Sequence, residues 1–329
     1  MTSLRKSKIV IFSNENDPHV DFVLPEIKRR GLDYVRFHTE EFPQHINITT
    51  KIEKQGFDVY FSGSFGRFCS SDVKSVWYRR PLAPIIDSRL GNVSYRKFAE
   101  IESGAFVNYV FGLMSNHSWV SDPYKIDDAR NKFFQLKLAG EIGFKIPDTV
   151  ITNEPIELKN FYEKHKGDII LKPIKTQWID SSSNQGMVIF THLVQRSDLE
   201  KANELQYAPC FFQERIPKDY ELRITVVGNQ VFSAELHSQE KELTKVDWRY
   251  HASDIPYKVH ELPKEISVKC KGLVDRLGLK FGAIDMIVKP GGEYIFLEIN
   301  PNGQWGWIQE KTGLQIRESL VDLLHHGTN

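Results

Sequence analysis

The stretch FGAIDMIVKPGGEYIFLEINPNG, residues 281–303, contains the pattern that decides the fold. Its two apolar runs are separated by a glycine pair at 291–292, which is typical of a two-residue hairpin turn. Pairing about that turn places Asp285 directly opposite Glu298, and Asn300 shares the face of Glu298 because strand residues two apart point the same way. Like charges directly opposite each other destabilise a sheet, so the acidic pair indicates a bound cation.

The carboxylate and amide oxygens of Asp285, Glu298 and Asn300 are hard ligands. They suit Mg²⁺, which takes one or two carboxylates and completes its shell with water and substrate phosphates. We therefore predict an ATP site with these three residues as the metal ligands. The alternative is an edge hairpin whose acidic side chains point into solvent. The neighbouring residues favour the buried site, because they are apolar like those of core strands: Ile284, Met286, Ile287, Ile295, Phe296, Leu297 and Ile299.

The composition is that of a globular protein large enough for two or three domains, with 329 residues of ordinary apolar content. Lys plus Arg and Asp plus Glu number 43 each, so bulk charge favours neither nucleic acid nor an anionic membrane as a partner. The basic N-terminus runs into a short apolar strand, and no stretch approaches membrane-spanning length, so we expect a cytoplasmic location. Cys69, Cys210 and Cys270 lack metal-ligand spacing and suit buried thiols in a reducing compartment.

The order of strand and helix patterns predicts an α/β domain over residues 1–120 and two α+β lobes with antiparallel sheets over 121–210 and 211–329. The first domain begins as a βαβ unit with strands at 8–13 and 32–37 around a helix at 20–30. The other predicted strands are 57–62, 75–78, 149–152, 168–173, 187–191, 209–213, 221–227 and 230–236, and the other predicted helices are 94–113, 129–140 with Asp127 or Asp128 as N-cap, and 266–277. The chain has no P-loop, no GxGxxG after a strand and no zinc motif, so ATP has to be held by other means.

Lys172 ends the apolar run DIILK, where an ammonium is costly to bury without an anion. A phosphate would satisfy it; the alternative is a side chain that extends its head into solvent. Lys132 precedes it in the helical sequence RNKFFQLKLA. The loop that follows Lys172 is rich in small residues whose backbone N–H groups can close over a triphosphate, or it is a mobile surface loop. Its candidate residues are Ser181, Ser182, Ser183 and Gly186.

Two further strands carry polar groups toward the predicted site. In CFFQERI an apolar strand turns polar at Gln213 and Glu214 before Ile216, and such a segment can bind adenine through its backbone. In ELRITVV, alternation places Arg223 on the same polar face as Glu221.

The planar guanidinium of Arg223 suits either a carboxylate or the oxygens of a transferring phosphoryl group. The alternative is an ordinary salt bridge with Glu221. Thr225 shares their face, and Gly228-Asn229 predicts a hairpin turn after the strand.

Taken in order, the motifs from Lys132 to LEINPNG are similar to those of the ATP-grasp superfamily over residues 121–325, and the domain before them resembles a pre-ATP-grasp domain. The resemblance implies an ATP-grasp fold that binds ATP and Mg²⁺. It also implies roles for individual residues: Lys132 and Lys172 contact phosphates, Glu214 and Ile216 frame adenine beside Gln213, Glu221 holds ribose, and Asp285, Glu298 and Asn300 bind the metal.

A closer resemblance is to the graspetide synthetases, which macrocyclise ribosomal precursor peptides. It lies in VWYRRP at 76–81 and EINPNGQWGWIQEKTGLQI at 298–316. It implies phosphorylation of an Asp or Glu side chain of the peptide, followed by attack of a Lys amine or a Ser or Thr hydroxyl to give an amide or ester ring. Arg223 and Lys172 would stabilise the developing charge. The implied partners are a precursor peptide with a leader and an acidic core, and a second copy of the chain.

The sequence is compatible with several other functions and residue roles. Other functions that keep the ATP site are a ligase that adds an amino acid to a peptide or protein terminus, a non-catalytic ATP sensor and a phosphotransferase. The charged segment 237–254 is a candidate for leader docking or a solvated linker. His237 is a surface residue or a general base, and Trp305 and Trp307 either pack in the core or line a peptide channel. Trp77 and Arg79 either reach the site or join the domains.

Overall fold

The computed structural model of the protein describes residues 7–114, 117–175, 187–250 and 255–327, together with the backbone of residues 178–179. The predicted loop of Ser181, Ser182, Ser183 and Gly186 lies outside the described residues. Within the described part, no helix combines the length and the apolar character needed to cross a bilayer.

The first part of the chain is the predicted open α/β domain. Its elements are β1 (Lys8–Ser13), α1 (Pro18–Arg29), β2 (Tyr34–His38), β3 (Asn47–Glu53), β4 (Gly56–Gly63), β5 (Gly66–Cys69), β6 (Val73–Arg79), α2 (Val93–Leu113) and β7 (Ser118–Val120). A parallel sheet has the order β2-β1-β6-β7, and β3, β4 and β5 form a separate antiparallel sheet. Ile9 and Ile11 of β1 pack in one core, and Val10 and Phe12 pack in another. Burial on both faces explains why this strand is uninterruptedly apolar.

The second part is an antiparallel lobe. Its elements are α3 (Pro123–Ala129), α4 (Lys132–Ile142), β8 (Thr149–Thr152), α5 (Pro155–Lys164), β9 (Ile169–Lys172), β10 (Trp178–Ile179), β11 (Met187–Val188), β12 (His192–Leu193) and β13 (Cys210–Glu214). Strands β12-β9-β13-β8 form one sheet, while β10 pairs with β11. The single strand predicted over 187–191 is therefore wrong. Its residues divide between β11 and the approach to β12, and those strands pair with different partners.

The third part is a lobe built on the antiparallel sheet β16-β15-β14-β17-β18. Its elements are β14 (Tyr220–Val227), β15 (Gln230–Leu236), β16 (Tyr257–Val259), α6 (Lys264–Arg276), β17 (Phe281–Val288), β18 (Tyr294–Asn300), α7 (Gly306–Thr312) and α8 (Ile316–His326). Leu222, Ile224 and Val226 pack into a core with α4 and α6. Glu221 and Arg223 alternate with them and face a cavity, as predicted.

The predicted helix at 129–140 corresponds to α4, which begins at Lys132, and a separate short helix, α3, ends at Ala129. Asp122 caps α3 by accepting from the N–H groups of Tyr124 and Lys125, and Asn131 caps α4. The prediction of Asp127 or Asp128 as N-cap is wrong, because both lie inside α3. The physical reason is that Asn131 stands directly before the apolar run and supplies the cap itself.

The acidic hairpin pairs Asp285 with Glu298, as predicted, but its turn and the register of its strands differ from the prediction. The loop at the hairpin tip has three residues, 290–292, because Lys289 N–H donates to the carbonyl of Glu293. The prediction of a two-residue turn is therefore wrong. A bulge at Leu297 then places one extra residue on β18 and restores the predicted partner of Asp285.

Candidate active site

A cavity of about 730 Å³ opens between the sheet that contains β9 and β13 and the sheet that contains β14, β17 and β18. The cavity walls are formed by side chains from all three parts of the chain. Outside the loop of Ser181, Ser182, Ser183 and Gly186, which is not described, every residue predicted for catalysis, nucleotide binding or metal binding lines it: Lys132, Lys172, Gln213, Glu214, Ile216, Glu221, Arg223, Asp285, Glu298 and Asn300.

The floor of the cavity carries the acidic pair, and each carboxylate has a basic partner. Both oxygens of Asp285 accept from Nη1 of Arg223, at 2.9 and 2.8 Å. These two residues are also direct cross-strand partners of β14 and β17. Glu298 lies 3.1 Å from Nζ of Lys132, which also donates to the carbonyl of Pro173. The salt bridge considered between Arg223 and Glu221 is replaced by the pair with Asp285.

The pKa values of the two carboxyls move in opposite directions. Burial raises the pKa of Asp285, and the charge of Glu298 adds to this rise against the pull of Arg223. Burial acts on Glu298 in the same sense, but Lys132 and Lys172 oppose it and hold its pKa below the ordinary value. A cation bound between the two carboxylates would oppose the effect of burial on both.

The donor set fits Mg²⁺. Two carboxylates face each other at a paired position, and Oδ1 of Asn300 stands at the end of β18 beside them. Such a set gives a hard cation a few oxygen ligands and leaves other positions to water and phosphate. In the part of the chain that the structure describes, no three His, Cys, Asp or Glu side chains cluster closely enough to hold a metal. The candidate set depends instead on an amide as its third donor.

Lys172 lies at the end of β9 with its ammonium in the cavity. It donates to Oε1 of Gln213 at 2.8 Å, and Gln213 donates to the hydroxyl of Thr149 at 3.0 Å. Gln213 is 1% exposed, so it orients the lysine as much as it lines the cavity. Burial lowers the pKa of Lys172 to about 8, with Glu298 acting in the opposite direction. An anion beside this ammonium would restore its charge.

The segment predicted to bind the nucleoside also has its polar groups in place. Glu214 accepts from the N–H of Asp148 at 2.8 Å and lies with Ile216 in the cavity wall. Glu221 accepts from Lys218 at 2.7 Å and from the hydroxyl of Ser238 at 2.8 Å. Its carboxylate is thus held in one orientation at the cavity surface. Thr225, predicted on the same face, is completely buried and does not line the cavity.

Several lining residues were missed from the sequence, among them Asp247, Arg249 and Arg80. Asp247 accepts from Nε of Arg249 at 2.8 Å, and both belong to the charged segment that also has a linker interpretation. Arg80 enters the cavity from the N-terminal domain with a positive φ of 48°. The paired arginines of VWYRRP were a signal for it. The segment around Asp247 carries no comparable pattern, because only tertiary packing brings it over the cavity.

The structure also places the residues whose roles were left open. His237 is partly buried rather than on the surface, pairs with Glu235 at 2.9 Å and is not among the cavity residues. Trp305 is 1% exposed and packs in the core, whereas Trp307 lies in the cavity wall against Trp248. Arg79 is buried away from the cavity and joins the domains.

The fold and the cavity are those of the ATP-grasp ligases. Residues 8–127 match the MvdD pre-ATP grasp domain, and residues 129–324 match the RimK-like ATP-grasp domain. The chain therefore belongs to the RimK-like ATP-grasp family, with a pre-ATP-grasp domain in front. Among curated proteins, no match is found.

Solved structures resemble the whole chain. A RiPP-associated ATP-grasp ligase of Chryseobacterium gregarium, in complex with ADP and a leader and core peptide, is 33% identical with a TM-score of 0.88, covering 97% of this chain and 96% of that chain. Macrocyclase MdnC of Microcystis aeruginosa MRC, bound with precursor peptide MdnA, is 29% identical with a TM-score of 0.85, covering 97% and 100%. Macrocyclase MdnB of the same strain is 29% identical with a TM-score of 0.79, covering 98% and 100%.

Proposed function

We propose that this protein is an ATP-dependent macrocyclase of a ribosomal precursor peptide. The observation that carries the proposal is the similarity over 97% of the chain to a ligase in complex with ADP, a leader and a core peptide. The similarity includes the pre-ATP-grasp domain, which supplies Arg80 to the cavity. The reaction joins an Asp or Glu side chain of the peptide to a Ser or Thr hydroxyl, or to a Lys amine.

A carboxylate is a poor electrophile, so the reaction needs a leaving group on its carbon. Transfer of the γ-phosphoryl group of ATP to a carboxylate oxygen releases ADP and forms an acyl phosphate. The hydroxyl or amine then attacks the carbonyl carbon, and the C–O bond to phosphate breaks. The net result is an ester or amide, ADP and hydrogen phosphate, and the proton lost by the hydroxyl or neutral amine ends on the phosphate.

Each of the predicted site residues has a place in this scheme. Lys132 and Lys172 hold the phosphates, and Arg223 stabilises the charge on the transferring phosphoryl group. Gln213, Glu214, Ile216 and Glu221 hold the nucleoside. Mg²⁺ held by Asp285, Glu298 and Asn300 would neutralise phosphate charge when bound.

The charge of the cavity supports an acidic partner. Arg80 and Lys311 both line the cavity, and neither forms an ion pair with a carboxylate of the described residues. Cations without a carboxylate partner in a cavity favour an anionic ligand beyond the nucleotide. We assign that role to the acidic core of the peptide. The candidate for leader docking is segment 237–254, whose residues Asp247 and Arg249 also line the cavity.

The test is mass spectrometry of the purified protein with ATP, Mg²⁺ and the acidic peptide encoded beside its gene. We expect a loss of about 18 Da for each ring, as condensation through an activated carboxyl requires. The same core without its leader should react much more slowly.

Other outcomes identify the alternatives. A gain in mass equal to an amino acid would show a ligase that extends a terminus. ADP formation with phosphate retained on the peptide would show a phosphotransferase, and nucleotide binding with no ADP formed would show a sensor.

A further inference from the structure

The N-terminal domain forms hydrogen bonds with the loop that follows β18, the strand of the predicted metal ligands Glu298 and Asn300. Arg79, at the end of β6, is 1% exposed. Its Nη1 donates to the backbone carbonyl of Asn302 at 2.8 Å, to Oδ1 of the same residue at 2.9 Å and to the carbonyl of Gly303 at 3.2 Å. One guanidinium nitrogen therefore holds two successive residues of this loop.

Two residues of the α1 region support this contact. Asp17 lies 3.3 Å from Nε of Arg79, and its carboxylate also caps α1. His19 accepts from the N–H of Trp305 at 2.9 Å and from that of Gly306 at 3.1 Å, both through Nε2. Burial, with Arg79 nearby, lowers the pKa of His19 to about 3, so the ring stays neutral and keeps Nε2 as an acceptor.

This loop in turn forms hydrogen bonds with two residues of the predicted site, Asn300 and Arg223. The N–H of Asn302 donates to Oδ1 of Asn300 at 3.0 Å and so sets the orientation of that amide. The carbonyl of Gln304 accepts from Nη2 of Arg223 at 2.9 Å. A shift of the loop would therefore move a predicted metal ligand and the predicted catalytic arginine together.

We propose that Arg79, supported by Asp17 and His19, is a positioning residue that sets Asn300 and Arg223 in the geometry for Mg²⁺ binding and phosphoryl transfer. The proposal rests on the metal site of the proposed function. It assigns the pre-ATP-grasp domain a role in chemistry that acts through residues 302–304, since Arg79 itself does not line the cavity.

Joining the domains alone would not require a buried arginine. Apolar side chains of α1 and β6 already share a core with α7 and α8. A buried charge with its hydrogen bonds adds little stability compared with apolar packing, and its directional bonds specify geometry instead. The three hydrogen bonds from Nη1 of Arg79 to the loop after β18 are directional bonds that specify geometry.

The first test compares Arg79→Lys with wild type. Lysine keeps the charge but loses the planar fork, so the loop is held less firmly. We expect the Mg²⁺ concentration that half-maximally tightens ADP binding to rise about tenfold, as for other residues that orient metal ligands. ADP affinity in EDTA should stay near that of wild type, because Lys132 and Lys172 come from other elements.

Two more variants keep the test decisive. Asp17→Asn preserves the cap of α1, since Asn caps helices as well as Asp does, but removes the carboxylate beside Arg79. It should shift the Mg²⁺ dependence in the same direction by a smaller factor. Val59→Ala is the control, because Val59 is completely buried in the other core of the N-terminal domain. It should lower the melting temperature and leave the Mg²⁺ dependence unchanged.

The outcomes of these binding measurements separate the positioning role of Arg79 from the metal assignment and from the proposed function. Variants of Arg79 and Asp17 that only melt earlier, with the Mg²⁺ dependence of the control, would overturn the positioning role. Wild-type ADP binding that does not respond to Mg²⁺ would overturn the metal assignment and this inference with it. The binding assay uses no peptide, so a failure to macrocyclise, with the Mg²⁺ shift present, would contradict the proposed function alone.

Discussion

At the residue scale, the floor of the cavity pairs each carboxylate with a basic side chain that we propose binds phosphate in the substrate complex. Arg223 holds Asp285, and Lys132 holds Glu298. Bound Mg²⁺ would compete for both carboxylates and release the two basic side chains toward phosphate oxygens. The pairs therefore keep the charges compensated until the nucleotide and metal arrive.

We propose that Arg223 acts in the chemical step more than in nucleotide binding. We expect Arg223→Ala to lower turnover by about 10²- to 10³-fold, the cost of losing one donor to a transition-state charge. ADP affinity should change little, because the lysines remain. Single-turnover kinetics and calorimetric ADP binding separate the two effects. Arg276→Ala on the outer face of α6 is the control, and equal turnover in the two variants would contradict the role.

We expect Lys172 to make nucleotide binding depend on pH. Its ammonium is charged below about pH 8 in the free protein, and bound phosphate raises its pKa. Below about pH 8, the titration of Lys172 therefore leaves the affinity for ADP unchanged. Above about pH 8, the affinity for ADP weakens by up to about tenfold per pH unit. Titrations between pH 7 and 9.5, roughly spanning this change, measure the slope. Lys172→Met should bind weakly with no such slope, and an identical slope in the variant would contradict the assignment.

Residue chemistry in the sequence was enough to find the polar residues predicted for the site, which line the cavity in the structure. Lys172 and Arg223 end or interrupt apolar strands, where a charge needs a reason. Arg80, Asp247 and Arg249 could not be found in the same way. They lie outside regular strands, and only the packing of distant segments brings them to the cavity.

At the element scale, the position of Arg223 depends on how closely the strand ends approach. A Cβ built on Gly303 would lie 2.6 Å from Cβ of Ala283 and 2.8 Å from Nη2 of Arg223. This glycine therefore allows the loop after β18 to pass directly over the arginine.

Gly303→Ala should displace Arg223 and reduce turnover by about tenfold or more, since small misplacements of catalytic groups are costly. It should also lower the free energy of unfolding by about 1–3 kcal/mol through overpacking. Gly104→Ala in α2 is the matched control, because its added Cβ meets nothing within 4 Å. That change should raise the free energy of unfolding by about 0.5–1 kcal/mol. Chemical denaturation and turnover are the measurements, and equal effects in both variants would contradict the argument.

Element types followed from periodicity, while their junctions did not. Strands β1, β8 and β15 have the predicted bounds because each alternation or apolar run stops at a polar turn. The bulge at Leu297 left no signal, because Phe296, Leu297 and Glu298 read as a regular strand. Helices α5, α7 and α8 were missed, since short amphipathic segments resemble loops when their packing partners are distant.

At the scale of the whole molecule, one core crosses the boundary between the predicted domains. Val20, Val23 and Ile27 of α1 pack with Leu320 and Leu324 of α8. The parts share this core in addition to the hydrogen bonds of Arg79. The sequence did not show this sharing, because each apolar face is equally compatible with a core inside its own domain.

We therefore expect the protein to unfold in a single calorimetric transition, and a fragment of residues 1–120 to lack a cooperative transition of its own. Removing the C-terminal partner would expose the apolar face of α1. Scanning calorimetry of both proteins is the measurement. Two resolved transitions of the full chain, the first matching the fragment, would contradict a shared core.

The central claim is that the protein places the γ-phosphoryl group of ATP on a peptide carboxylate. The most direct test uses a precursor peptide whose Asp and Glu side chains carry ¹⁸O in both oxygens, followed by mass spectrometry of the phosphate released on ring closure. An acyl phosphate transfers one peptide oxygen to phosphate, so we predict one ¹⁸O in the phosphate formed for each ring. Ring closure with phosphate free of ¹⁸O would contradict the claim.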